Sequence, residues 1–139
     1  MAGPAVAREF SDSDNYFMRL ALKEARKGIG RTSPNPCVGA VIVKEDKVIA
    51  RGYHKKAGGP HAEIEVLSKA GDRAAGATMY VTLDPGNHTG KTPPCSRAVV
   101  ASGVKNVCIG MLDPNPLVNG SGAEFLRGAG IEVRHGLLE

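Results

Sequence analysis

Two apolar runs of strand length lie almost back to back near the start of this chain, and every later apolar run alternates between helical and strand spacing. Val38–Val43 is the first, nearly all apolar and rich in β-branched residues, and Lys47–Tyr53 is the second. Glu45-Asp46 separates them at hairpin length, although it lacks the Asn-Gly or Asp-Gly pair that usually makes such a turn. Before the hairpin, Ser11, Asp12, Ser13 and Asp14 offer several N-caps. Phe17, Leu20, Ala21 and Ala25 then recur at helical spacing, which predicts a helix over 14–28 closed by Gly28 and Gly30. After the hairpin come a helix from Pro60 to Gly71, a strand over Thr78–Leu83 and a helix around Ala98–Ala101 that ends at Gly103. A strand over Val104–Ile109, a helix around Ala123–Leu126 and a strand over Ile131–Val133 complete the order. A hairpin followed by alternating helices and strands predicts one mixed α/β sheet of five strands with helices on both faces.

The bulk properties narrow the function classes. A chain of 139 residues fits one domain, and its 42% hydrophobic and 23% charged content is ordinary for a soluble globular protein. No apolar run approaches the ~20 residues that span a bilayer, and Met1–Phe10 has no apolar core of a signal peptide, so it reads as a short loose tail over residues 1–11. The expected address is the cytoplasm, where three cysteines are core residues, metal ligands or nucleophiles. The net charge of +4 raises the question of nucleic acid. The basic residues are spread out, however, with only Arg26-Lys27 and Lys55-Lys56 adjacent, and three Tyr and three Phe with no Trp leave little for stacking bases. An anionic small molecule accounts for the charge equally well, and neither nucleic acid nor membrane is the expected partner.

The chemistry-bearing residues cluster around two expected helix starts. His61-Ala62-Glu63 follows Pro60, and Pro85-Gly86 precedes Cys95 across eight residues. Zinc deaminases set a His or Cys and a catalytic Glu on one helix start and two Cys on another. The metal lowers the pKa of its water from roughly 15.7 to about 7, and the Glu moves the protons without being a ligand. An isolated His-Ala-Glu is more often a pair of solvated helix residues. Here it stands among Thr32-Ser33-Pro34-Asn35-Pro36, Val38-Gly39-Ala40, Gly52-Tyr53-His54 and Gly58-Gly59-Pro60. Downstream lie Tyr80-Val81-Thr82-Leu83, His88-Thr89-Gly90-Lys91-Thr92-Pro93-Pro94-Cys95 and Asp113-Pro114-Asn115-Pro116.

Taken together, these segments resemble the deaminase domain of the bifunctional riboflavin-pathway deaminase/reductase, over residues 12–139. The resemblance implies a three-layer α/β/α cytidine deaminase-like fold and hydrolytic deamination of 2,5-diamino-6-(5-phosphoribosylamino)pyrimidinone through zinc-activated water. His61 and Cys95 then match zinc ligands and Glu63 the catalytic acid and base. Asn35 and His54 match the pyrimidine pocket, His88, Lys91 and Thr92 the loop on the phosphate side, and Asp113 and Asn115 substrate-facing positions. The residue types suit those tasks: amide and imidazole for a pyrimidine edge, ammonium and hydroxyl for phosphate. Proteins of this kind usually associate, so a homo-oligomer is expected. No reductase domain follows up to Glu139, which leaves a monofunctional deaminase with a separate reductase, or a piece of the two-domain protein.

The pattern breaks at one place. Where the family has Glu-Pro-Cys, this chain has Asp84-Pro85-Gly86, and Gly86 brings no side chain to a ligand position. Cys37 and Cys108 read as buried core residues and not as substitutes. The alternative reading is a pseudo-deaminase that keeps the substrate pocket and holds zinc weakly or not at all.

Overall fold

The computed structural model describes residues 11–27, 38–53, 62–83, 94–111 and 121–136. Helix α1 covers Asp12–Arg26. Strands β1 (Gly39–Lys44) and β2 (Lys47–Tyr53) form the hairpin. Helix α2 covers Ala62–Ala70, followed by a short 3-10 turn, Gly71–Ala74, and strand β3 (Thr78–Leu83). Helix α3 (Pro94–Ser102), strand β4 (Asn106–Met111), helix α4 (Ser121–Gly128) and strand β5 (Glu132–His135) follow. The element order is the expected one. Helix α1 starts two residues before the expected 14 because Ser11 is the cap: its hydroxyl accepts from the Asp14 amide while the Asp14 carboxylate accepts from the Ser11 amide. Helix α3 starts at Pro94, ahead of the apolar residues Ala98–Ala101 and at the helix start expected beside Cys95, with its proline in the first turn, where a missing N–H costs nothing. Strands β4 and β5 run two residues past their expected ends.

The sheet order is β2-β1-β3-β4-β5. β1 pairs antiparallel with both β2 and β3, while β3, β4 and β5 run parallel, so the expected mixed sheet is observed. Successive side chains of a strand point to opposite faces, and the two faces are covered differently. Ala40, Ile42, Met79, Val81, Val107 and Ile109 face the core shared with Val66 of α2, Val99 of α3 and Leu126 of α4. Val41, Val43, Tyr80 and Cys108 face Phe17, Met18 and Ala21 of α1. One helix therefore covers one face and three cover the other, giving a three-layer α/β/α sandwich.

Glu45 and Asp46 both adopt positive φ, 52° and 62°, the left-handed pair that a two-residue hairpin needs, without glycine at either position. The register then slips by one between Ile42 and Val43, leaving Ile49 as the extra residue of a bulge in β2.

Behind α1 a polar network crosses the buried layer. The Asp14 carboxylate accepts from the Tyr80 hydroxyl at 2.5 Å and from Arg134 through two nitrogens at 3.1 and 3.3 Å. A third contact puts Arg134 Nη2 3.2 Å from Cys108 Sγ. Burial alone would raise the Asp14 carboxyl, but the Tyr80 hydroxyl, the Ser11 amide and Arg134 outweigh it and hold it below its usual range. Burial, and then the neighbouring carboxylate, push the Tyr80 phenol well upward.

Candidate active site

Chain direction decides where the candidate residues gather. β3 runs parallel to β4, so α3 between them must begin at the carboxyl end of β3 and return along the sheet. Helix α2 precedes β3 and runs back to its start, so α2 also begins near the carboxyl end of β3. The antiparallel register sets Ala40, near the start of β1, beside Val81, and Tyr53, at the end of β2, beside Gly39. Met111, the end of β4, pairs with Leu83, the end of β3. Segments 28–37, 54–61, 84–93 and 112–120 therefore all join the described framework at one end of the sheet. That end holds the carboxyl ends of β2, β3 and β4 and the start of β1.

Of the sequence-derived candidates, Glu63 is the one whose side chain is described. It is the second residue of α2 and only 3% exposed. Cys95 is the second residue of α3, a matching place on a helix packed against α2. His61 immediately precedes α2 and, with Asn35, His54, Gly86, His88, Lys91, Thr92, Asp113 and Asn115, lies outside the described residues. Each of those positions falls in one of the four segments that meet this end of the sheet. Cys37 also lies outside the described residues.

Two glycines set how closely the helices approach. A Cβ on Gly52 would lie 2.9 Å from Glu65 Cβ and 3.1 Å from Val66 Cγ1, so the first turns of α2 rest directly on β2. On the other face a Cβ on Gly39 would lie 2.0 Å from the Ala21 carbonyl oxygen and 2.5 Å from the Ala25 nitrogen. Glycine within a strand marks such close approach. Neither position stood out as a site residue in the sequence, although both are strand glycines beside the candidate loops.

The donor set for a metal can be tested in part. Among the described residues no group of three or more His, Cys, Asp or Glu could hold a metal ion. Cys108 is fully buried on the α1 face, with Arg134 against its sulfur and its thiol pushed up to about 11 by burial. It belongs to the core, as its sequence context suggests, and does not replace a ligand at position 86. The two zinc-ligand positions with donors that the resemblance implies, His61 and Cys95, are one short of the three protein ligands a catalytic zinc site keeps.

Residues 11–111 match the model of the cytidine and deoxycytidylate deaminase zinc-binding region. The chain belongs to that family. Within it the chain resembles the riboflavin-pathway deaminases. It is 52% identical over 125 residues to the diaminohydroxyphosphoribosylamino-pyrimidine deaminase of Buchnera aphidicola, covering 90% of this chain and 85% of that protein. It is 56% identical over 126 residues to the riboflavin biosynthesis protein RibD of Aquifex aeolicus, covering 91% of this chain and 35% of RibD. The solved structure of Acinetobacter baumannii RibD superposes with a TM-score of 0.86 at 52% identity, covering 90% of this chain and 35% of that one. The chain thus spans about a third of the length of these RibD relatives and most of the Buchnera deaminase. The expected deaminase fold and family are both found.

Proposed function

We propose that this deaminase domain removes an amino group from a phosphorylated diaminopyrimidinone of riboflavin biosynthesis, with Glu63 as its proton carrier. The observation that carries the reading is the convergence of four loop-bearing junctions at one end of the sheet, with Glu63 buried at the α2 start beside them. Hydrolytic deamination adds a water oxygen to a ring carbon and releases the amino group as ammonia. One proton must leave the water and one must reach the departing nitrogen. A carboxylate held on a helix and shielded from solvent can take the first and deliver the second. Asn35 and His54 would then bind the pyrimidine edge, with Asp113 and Asn115 beside it. His88, Lys91 and Thr92 would meet the phosphate side. Zinc, which the family's name assigns to its members, supplies a water activated near neutral pH when bound. His61 and Cys95 are the residues that would hold it.

A second reading is favoured by one observation, the glycine at position 86. With two side-chain donors, the domain would bind the phosphorylated pyrimidine without turning it over. Calorimetry and metal analysis test what the two readings share, and ammonia release separates them. Both readings expect binding of the phosphopyrimidine that weakens in Lys91→Ala by about 1.5–3 kcal/mol, the worth of a hydrogen bond to a charged group. Both also expect well below one zinc per chain after dialysis and full retention in Gly86→Cys. They part on ammonia release in zinc-supplemented buffer, which only the catalytic reading expects from the unmodified chain. Undetectable binding by the unmodified chain would reject both readings.

A further inference from the structure

The N–H of Gly39 donates to the Thr82 hydroxyl at 3.1 Å, a buried bond between residues 43 positions apart. Its place in the ladder gives it meaning. β1 and β3 pair regularly from Val43 and Thr78 up to Ala40 and Val81, and there the backbone pairing stops. One step further, Gly39 and Thr82 would be the next pair. Instead, a side-chain oxygen takes the place of a backbone carbonyl. The two strands can separate at this point while the Gly39 amide keeps its partner, which a buried N–H requires. Gly39 itself cannot shift toward α1, because the Ala21 carbonyl and the Ala25 nitrogen already occupy the space of a Cβ. Thr82 is 5% exposed and on the α1 side of the sheet with Tyr80, the face opposite α2 and α3.

The bond sits where β1 receives the segment that carries Asn35 and where β3 delivers the segment that carries positions 84–93. We propose that Thr82 is a positioning residue: its hydroxyl fixes the spacing between the start of β1 and the end of β3, and so the spacing of the two substrate-bearing segments that leave them. The inference deepens the deaminase reading above and rests on it for its catalytic consequence.

The test compares Thr82→Val, which keeps the shape and loses the acceptor, with Thr82→Ser, which keeps the acceptor and loses a methyl group. Circular dichroism confirms the fold of each, and Thr82→Ala carries the same comparison if the valine variant does not fold. Exchange of the Gly39 amide should accelerate roughly tenfold in Thr82→Val, as expected for loss of one net hydrogen bond, and return toward the original rate in Thr82→Ser. In parallel kcat/KM should fall ~10- to 100-fold in Thr82→Val, since displacement by about 1 Å costs that much, with Thr82→Ser recovering most of it. An unchanged Gly39 amide, an unchanged kcat/KM despite a freed amide, or a serine variant as impaired as the valine one would each overturn the proposal. Absence of turnover in the unmodified chain would count against the deaminase reading alone. The same comparison then runs on calorimetric affinity for the phosphopyrimidine, and no affinity in the unmodified chain would overturn both.

Discussion

Replacing Asp14 by Asn tests whether the network behind α1 holds the helix to the sheet. The carboxylate accepts four hydrogen bonds, from the Ser11 amide at 2.9 Å, the Tyr80 hydroxyl at 2.5 Å and two nitrogens of Arg134 at 3.1 and 3.3 Å. An asparagine oxygen can take two of these at most. Its NH2 group then faces a donor, and the charge opposite Arg134 is lost. Removing one member of a fully buried ion pair costs about 3–5 kcal/mol. The Arg134 side chain is 30% exposed and can turn to water, which lowers that figure. Loss of half the capping box adds about 1 kcal/mol, so ~3 kcal/mol is expected in total. At roughly 3 °C per kcal/mol for a chain of this size, the melting temperature should drop by about 10 °C. Urea denaturation at pH 7, with Tyr80→Phe and the double variant completing a cycle, measures the coupling directly. The sign with pH follows from the lowered carboxyl. The extra stability is fully present above the unfolded value of 3.8 and is lost as pH falls through the lower folded value. The gap between the original chain and Asp14→Asn should therefore close on acidification. A loss below about 1 kcal/mol at pH 7, or a gap that widens toward acid, would refute this account of the network.

Other consequences follow from the backbone. Gly52→Ala sets a Cβ 2.9 Å from Glu65 Cβ and should push the α2 start outward. A fall in kcat/KM of ~10-fold is expected, larger than its effect on stability alone would produce, and unchanged kinetics would show that α2 tolerates the shift. Replacing Glu45-Asp46 by Asn-Gly should stabilise the chain by about 1 kcal/mol, because both residues already hold positive φ at a steric cost. A lower melting temperature in that variant would mean the native side chains make compensating contacts.

Much of the architecture is legible in the sequence because it is written in local periods. The hairpin and the alternating elements follow from apolar spacing alone, and Pro60 and Gly71 bracket α2 closely. The end of β5 depends on a distant partner. Arg134 and His135 extend β5 past the last apolar residue, and Arg134 is held there by Asp14, 120 positions away. The start of α3 is marked by Pro94 and the Cys95 motif and not by apolar spacing, which begins only at Ala98. The candidate site is legible in residue types, since His61, Glu63 and Cys95 carry recognisable chemistry at recognisable spacing. Its supports are not. Thr82 is an ordinary strand residue until its hydroxyl is seen to replace a ladder carbonyl, and Gly52 is an ordinary strand glycine until α2 lies on it. Asp14 carried a weak signal, as the partner of Ser11 in a capping box.

The central claim is that Glu63 moves protons in a deamination. Ammonia release from the phosphorylated diaminopyrimidinone, in zinc-supplemented buffer, tests it with the original chain beside Glu63→Gln. Glutamine keeps the size of the side chain and removes its capacity to carry a proton, so the rate should fall by about 10²–10⁴, the usual contribution of a positioned acid and base. Equal rates in the two proteins, or binding of the pyrimidine with no ammonia released by the original chain, would contradict the claim.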